Sequence, residues 1–205
     1  MKQVSRERAL TLLRRQGPLM RLSEFVGAGV HRDTLRDLRA SGAIEQVSRG
    51  LYRLSSAPPL AEPDLVVVSR LVPGAVVCLV SALSLHELTT QIPHGVDIAL
   101  ARGRRRPRIE FPPIQVYWWS SAALEQGIET RSFSGVDVRV TTPERSVADA
   151  FRYRNQLGLD LAIEALRAWR ERRGSKPERL LEAARVVRVE KVLLPYLQAV
   201  LAQAS

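Results

Sequence analysis

Apolar positions near the start of the chain recur at helical spacing. Leu10, Leu12 and Leu13 supply one apolar face that ends at Gly17-Pro18, with Ser5 as the predicted N-cap. Leu22 and Phe25, three apart, predict a short second helix over 21–26. The run Gly27-Ala28-Gly29-Val30 then supplies the positive φ that a tight corner between helices needs. A third helix is predicted over 31–40, stopped by Ser41-Gly42. Its Leu35 and Leu38 face inward, while Arg32, Arg36 and Arg39 follow a 4-then-3 spacing and share the opposite, solvent-facing side. Two short runs, Ile44-Glu45-Gln46-Val47 and Leu51-Tyr52-Arg53-Leu54, flank Ser48-Arg49-Gly50 and read as a hairpin.

Three helices followed by a hairpin with an arginine at its tip is the order of a winged helix-turn-helix, in which the third helix enters the major groove of DNA. On that reading Arg32, Thr34 and Arg36 reach base edges or phosphates, and Arg39 meets the backbone. Arg49 takes phosphate or minor groove from the wing tip with Arg53 beside it, while Tyr52 and Leu54 anchor the wing to the core.

The stretch Ser55-Ser56-Ala57-Pro58-Pro59-Leu60-Ala61-Glu62-Pro63 has a linker's composition, so the expected organisation is a DNA-binding domain over 1–55, a linker over 56–63 and a second domain over 64–205. In the second domain, helical patterns over 64–71 and 81–89 bracket a buried strand over 76–79. Strand-like runs follow at Val96–Ala101, Ile114–Trp119, Gly127–Phe133 and Val136–Val140. Thr142-Pro143-Glu144 opens a helix, with Pro at its first position and Glu in its first turn. Amphipathic helices are then predicted near 143–154, 158–173, 176–187 and 189–203. Strands followed by helices without strict alternation predict α+β: a winged helix-turn-helix, then a mixed domain with a small β-sheet and a helical C-terminus.

Composition sharpens this through its unevenness. The 205 residues carry a formal net charge of +10. Residues 1–55 hold eleven Lys/Arg against five Asp/Glu, and the run Arg102-Gly103-Arg104-Arg105-Arg106-Pro107-Arg108 adds five arginines and no acid. The remainder holds fifteen bases and sixteen acids, so the excess sits in two places. Phosphate neutralisation with counterion release gives a physical reason for such clustering. Arg102, Arg104, Arg105, Arg106 and Arg108 are therefore candidate phosphate contacts that add affinity without sequence choice. The longest apolar stretch, Val66–Leu85, is interrupted by Ser69, Arg70, Pro73 and Gly74, and the N-terminus has no secretory apolar run. With a single cysteine, Cys78, set among Val and Leu as a small buried hydrophobe, the expectation is a cytoplasmic protein without a membrane partner.

Catalytic signatures are sparse. His86-Glu87 lacks the second histidine of a metalloprotease helix, because position 90 is Thr, and the three histidines are scattered. There is no phosphate-binding Gly-rich loop ending in Lys-Ser/Thr and no GxSxG elbow. Asp97 and Asp137 lie in strand-like runs, either as exposed residues beside turns or as a nuclease-like metal pair. Of Trp118-Trp119, one ring at least is expected in the core, with base stacking as the alternative.

Three segments together resemble AbiEi-type antitoxins of type IV toxin–antitoxin systems. They are the N-terminal module ending in Ser48-Arg49-Gly50-Leu51-Tyr52-Arg53-Leu54, the run Val80-Ser81-Ala82-Leu83-Ser84-Leu85-His86-Glu87-Leu88, and Thr141-Thr142-Pro143-Glu144-Arg145-Ser146-Val147-Ala148-Asp149-Ala150. In the last run Arg145 and Asp149, four apart, are placed to pair on one helix face. The resemblance implies a cytosolic bacterial repressor of its own operon, acting on double-stranded operator DNA with inverted repeats. It also implies neutralisation of a nucleotidyltransferase-like toxin without a required stable complex. No catalytic residue, metal site or cofactor is expected. The competing readings are a ligand-responsive winged-helix regulator, a metal-dependent nuclease using Asp97, Asp137 or Glu110, and an RNA-associated basic protein.

Overall fold

The computed structural model describes residues 2–202. The helix predicted over 189–203 therefore has its last position, Gln203, outside the described residues. The architecture is α+β and forms two compact units. The first comprises Met1–Pro73 with Pro107–Pro113 and Arg131–Val138, and the second Gly74–Arg106 with Ile114–Thr130 and Arg139–Ser205. These units are drawn differently from the linear division at 56–63, because two later excursions of the chain fold within the first unit.

In the first unit the predicted elements form in the predicted order: α1 (Lys2–Gln16), α2 (Leu22–Gly27), α3 (Arg32–Ala40), β2 (Ile44–Ser48) and β3 (Leu51–Leu54). Ser5 is not an N-cap, since α1 already runs from Lys2; its hydroxyl instead bonds that of Thr34 at 3.1 Å. A two-residue strand, β1 (Met20–Arg21), pairs with β3 and completes a three-stranded sheet in the order β1-β3-β2. It is too short to show a period in the sequence. Phe25, Leu35, Leu38 and Ile44 pack with Ala9, Leu13, Met20 and Val30 as one core. A second cluster joins Leu19 and Leu51 to Val66 and Val67 of α4 (Pro63–Leu71) and to Val136. Glu24 of α2 accepts from Arg70 of α4 at 2.9 Å and also from the Arg21 backbone N–H.

The five-stranded sheet runs β6-β5-β4-β8-β7, with β4 (Val76–Val77), β5 (Val96–Ala101), β6 (Ile114–Trp119), β7 (Ile128–Phe133) and β8 (Val136–Thr141). The expected strand over 76–79 is only two residues long, because α5 (Leu79–Leu85) begins at once, with Leu79 at φ +48. The helices α6 (Pro143–Arg152), α7 (Arg154–Leu157), α8 (Leu159–Glu171), α9 (Pro177–Val186) and α10 (Glu190–Ala202) follow. Val147, Phe151, Leu166, Trp169, Leu180 and Leu193 form their shared core.

The Thr-Pro-Glu-Arg run is where the helices are tied to the sheet. Thr142 Oγ1 accepts from the Arg145 N–H at 3.3 Å as the N-cap of α6, with Pro143 in the first turn. The Ser146 hydroxyl lies 2.7 Å from that of Thr141, and Glu144 accepts from the Trp169 indole at 3.4 Å. Arg145 Nε donates to Asp149 Oδ2 at 3.0 Å, and both side chains are 1% exposed. Arg145 Nη1 also donates to the Gln126 carbonyl at 2.6 Å, and its guanidinium carbon lies 4.7 Å from the Trp119 ring centre. The turn beside it closes on Gly127 at φ +65, where an added Cβ would come within 3.0 Å of Arg145 Cβ. The Val80–Leu88 run is structural as well. The Ser81 backbone N–H donates to Asp97, the His86 ring meets the Thr141 carbonyl at 2.6 Å, and the His86 carbonyl accepts from Arg172.

Asp97 is therefore not the exposed strand residue expected: it is 8% exposed. Burial pushes its carboxyl up to about 6, partly offset by the Ser81 and Val80 backbone donors and by Tyr117. Cys78 is fully buried, and burial raises its thiol further. Trp119 is in the core at 5% exposure while Trp118 remains 40% exposed, as alternating strand positions require.

Two outcomes follow for the second unit. Arg145→Ala strands the Asp149 carboxylate and lowers unfolding free energy by about 3–5 kcal/mol in urea titrations. The combined Arg145→Met, Asp149→Leu change recovers most of that loss; a double variant as unstable as the single would contradict a pairing role. For Asp97 the folded pKa lies above the unfolded value near 3.9, so folding holds a proton that unfolding releases. Stability from this group is fullest below pH 4 and is lost as pH rises through about 6. The stability difference between Asp97→Asn and the parent chain should thus shift in the variant's favour by about 2 kcal/mol from pH 4 to pH 7; a difference constant with pH would show that Asp97 does not titrate this way.

Candidate nucleic-acid interface

In the first unit, α3 is held against α1 by Leu35 and Leu38, with polar ties at both ends. Thr34 bonds Ser5, and Arg6 donates to the Ser41 hydroxyl at 3.0 Å. His31 caps the helix by accepting from the Asp33 N–H at 3.4 Å. This places Arg32, Arg36 and Arg39 on the exposed face. Arg36 pairs with Asp33 at 3.1 Å, with the two side chains 76% and 59% exposed. A pair so open to water is worth less than about 1 kcal/mol, so exchanging Asp33 for another partner would cost Arg36 little. Arg39 donates to Gln46 on β2 at 2.6 Å, tying the end of the helix to the hairpin.

The wing turn depends on Gly50, whose φ of +72 suits glycine and whose carbonyl accepts from the Leu22 N–H at 2.8 Å. An irregularity in pairing between Gln46 and Ser48 sharpens the bend just before the tip. The Ser48 hydroxyl donates to the Phe111 carbonyl at 2.7 Å, and Arg49 pairs with Glu110 at 2.9 Å in an exposed ion pair. Two hollows flank the wing. One, of about 460 Å³, is lined by Arg39, Gln46, Ser48 and Arg49; the other, of about 630 Å³, by Arg21, Arg32, Gly50 and Leu71. Both are rimmed by arginine, the residue suited to phosphate.

Two expected contacts are placed otherwise. Thr34 is half-buried and its hydroxyl is engaged with Ser5. Arg53 is 8% exposed, and its Nη2 donates to the carbonyls of Ala57 and Pro58, both at 2.6 Å, while Nε lies 3.1 Å from Glu45. It fastens the segment after β3 rather than facing solvent, because alternate positions of β3 point inward. Tyr52 meets Phe25 edge-on at 6.1 Å, the anchoring contact expected of it. Arg21 and Gln46 join the wing's surroundings although no sequence signal singled them out. Burial and the neighbouring Arg70 lower the Arg21 pKa.

Arg102, Arg104, Arg105, Arg106 and Arg108 are all exposed in the irregular loop after β5, with Arg102–Arg106 in the second unit and Arg108 in the first. Glu110 and Asp137 fall in the first unit and Asp97 in the second. Among the described residues, no group of three or more His, Cys, Asp or Glu is arranged to hold a metal ion. Nor is any helix among them long and apolar enough to cross a membrane.

Residues 7–55 match the family model described as "Transcriptional regulator, AbiEi antitoxin". That span runs from within α1 to the end of the wing. The crystal structure of the RV2827C protein from Mycobacterium tuberculosis is similar in fold, with a TM-score of 0.50 at 16% identity over 97% of this chain and 81% of that one. No curated protein sequence matches the chain.

The geometry separates two arginines that the sequence reading had both placed at the DNA. Arg53→Ala should lower the unfolding midpoint, costing about 1–3 kcal/mol for the stranded carbonyls, and leave the salt slope of DNA binding unchanged. Arg36→Ala should leave stability within about 0.5 kcal/mol and reduce that slope by about 1. Equal slopes for Arg36→Ala and the parent chain would remove Arg36 from the interface.

Proposed function

We propose that this chain is a DNA-binding repressor of its own operon and the antitoxin of a type IV pair, countering a nucleotidyltransferase-like toxin in the cytoplasm without catalysis of its own. The observation that carries the reading is a coincidence. The segment matching AbiEi antitoxin regulators ends with the wing, and it contains a helix that exposes Arg32, Arg36 and Arg39 beside a wing tipped by Arg49. Arg32 and Arg36 read base edges in the major groove, Arg39 meets backbone, and Arg49 exchanges Glu110 for phosphate. The loop arginines Arg102, Arg104, Arg105, Arg106 and Arg108 add phosphate contacts that raise affinity on any sequence.

The direct test is fluorescence anisotropy on the DNA upstream of the gene and on scrambled duplex, at two salt concentrations. The parent chain should prefer the upstream DNA by at least about 1,000-fold. Arg49→Ala should weaken both duplexes together, whereas Arg36→Ala should lose more on the upstream site, by about 1–3 kcal/mol. No preference for upstream DNA would remove the repressor role. Co-expression with the adjacent toxin gene tests the other half: growth should be rescued, and failure to rescue would remove the antitoxin role.

A further inference from the structure

The second unit contains a basic cleft of which the DNA-binding reading uses only Arg102. It has a volume of about 350 Å³, within the range of small-molecule sites, and is lined by Arg102, Trp118, Arg145, Asp149, Arg152 and Arg188, with Tyr153 at its side. Arg145, Asp149 and Arg152 follow a 4-then-3 spacing on α6 and so share one face. Trp118 comes from the end of β6, and Arg188 from the corner between α9 and α10. Four arginines therefore line one hollow with a single acidic residue among them.

Two details argue that this is more than a charged surface. Asp149 is wholly buried and gives one oxygen to Arg145, yet its other oxygen, Oδ1, has no hydrogen-bond partner. An unpartnered buried carboxylate oxygen at the wall of a cleft is a vacant acceptor for a ligand N–H or O–H. The second detail is Arg188. The Val189 N–H bonds the Ala184 carbonyl at 2.8 Å and the Arg188 N–H bonds that of Arg185 at 3.0 Å, which closes α9 as a Schellman motif. The left-handed position of that motif normally holds glycine. Here it holds Arg188 at φ +61, and that residue is among those lining the cleft. Arg152 donates from Nη1 to the Val187 carbonyl at 2.7 Å, holding that corner against α6 while its other N–H groups stay available.

We propose that this cleft binds a nucleotide. The arginines take the phosphate, the half-exposed Trp118 ring offers a stacking face, and Asp149 Oδ1 accepts from the base or sugar. The nucleotide is either free or the terminal one of a single strand. The proposal does not depend on the repressor reading.

The test is calorimetry and intrinsic fluorescence on the full chain. The probes are ATP, GTP, CTP and UTP, the corresponding monophosphates and nucleosides, inorganic phosphate, and a 5′-phosphorylated hexanucleotide. At least one nucleotide should bind one-to-one and quench Trp118, with its nucleoside and inorganic phosphate each at least tenfold weaker. Arg188→Gly removes the charge while suiting the left-handed backbone, so it should keep the circular dichroism and urea midpoint of the parent and lose at least tenfold in affinity. Trp118→Phe should abolish the quench. A hexanucleotide that binds more tightly than any free nucleotide, with the same sensitivity to Arg188→Gly, would uphold the cleft and assign its ligand to a strand. Absence of binding at millimolar nucleotide, phosphate binding as tightly as nucleotide, or affinity unchanged in Arg188→Gly would each overturn the proposal.

Discussion

A guanidinium placed where water cannot reach it must be satisfied by its surroundings, and in the second unit Arg145 sets that requirement. At 1% exposure it is held by Asp149 four residues on, by the Gln126 carbonyl and by the face of Trp119. Each partner comes with its own constraint. Trp119 must point inward from β6, Gly127 must be glycine so that the turn can close on the Arg145 side chain, and α6 must begin at Thr142 for the four-residue spacing to face the sheet. A buried pair of this kind adds little net stability, but it admits few alternative packings, because any other register leaves a charge unpaired. The hydroxyls of Thr141 and Ser146 and the Glu144–Trp169 contact lock that register further.

The first unit handles its arginines the other way. Arg32, Arg36 and Arg49 stay in water, two of them beside carboxylates that hold them only weakly. Its internal ties use Arg70 and Arg53, which grip Glu24 and the carbonyls after β3. The same residue type thus serves as a strut where desolvation makes the pairing obligatory and as a ligand-seeking group where solvent keeps it exchangeable. That division, more than the net charge, is what leaves the arginines of the α3 face and the wing able to exchange partners.

Much of this was legible residue by residue. Leu35 and Leu38 at helical spacing identified the inner face of α3, and with it the outer face bearing Arg32, Arg36 and Arg39. The alternation in Ile114–Trp119 put one tryptophan in and one out. Spacing also marked Arg145 and Asp149 as partners, although not as buried ones. Arg53 and Thr34 were misplaced for one reason: both lie in short elements, where a single residue's direction depends on what packs over it. Arg188 carried no signal, and Arg152 only its helical spacing from Arg145 and Asp149, since the cleft they share exists only once α6 and the α9–α10 corner meet.

What the sequence alone determined was therefore periodic or local: the order of helices and strands, the inward faces, the caps at Thr142 and the wing turn at Gly50, and the two reservoirs of positive charge. These depend on neighbours within a few positions, and that information is written directly in the chain. The tertiary structure alone decided which polar groups lost their water. Burial of Asp97, Arg145 and Asp149 arises from elements distant in sequence closing over them, and it sets their pairing, their protonation and their availability to a ligand. Desolvation is a property of the packed whole, so no spacing rule along the chain could have assigned it.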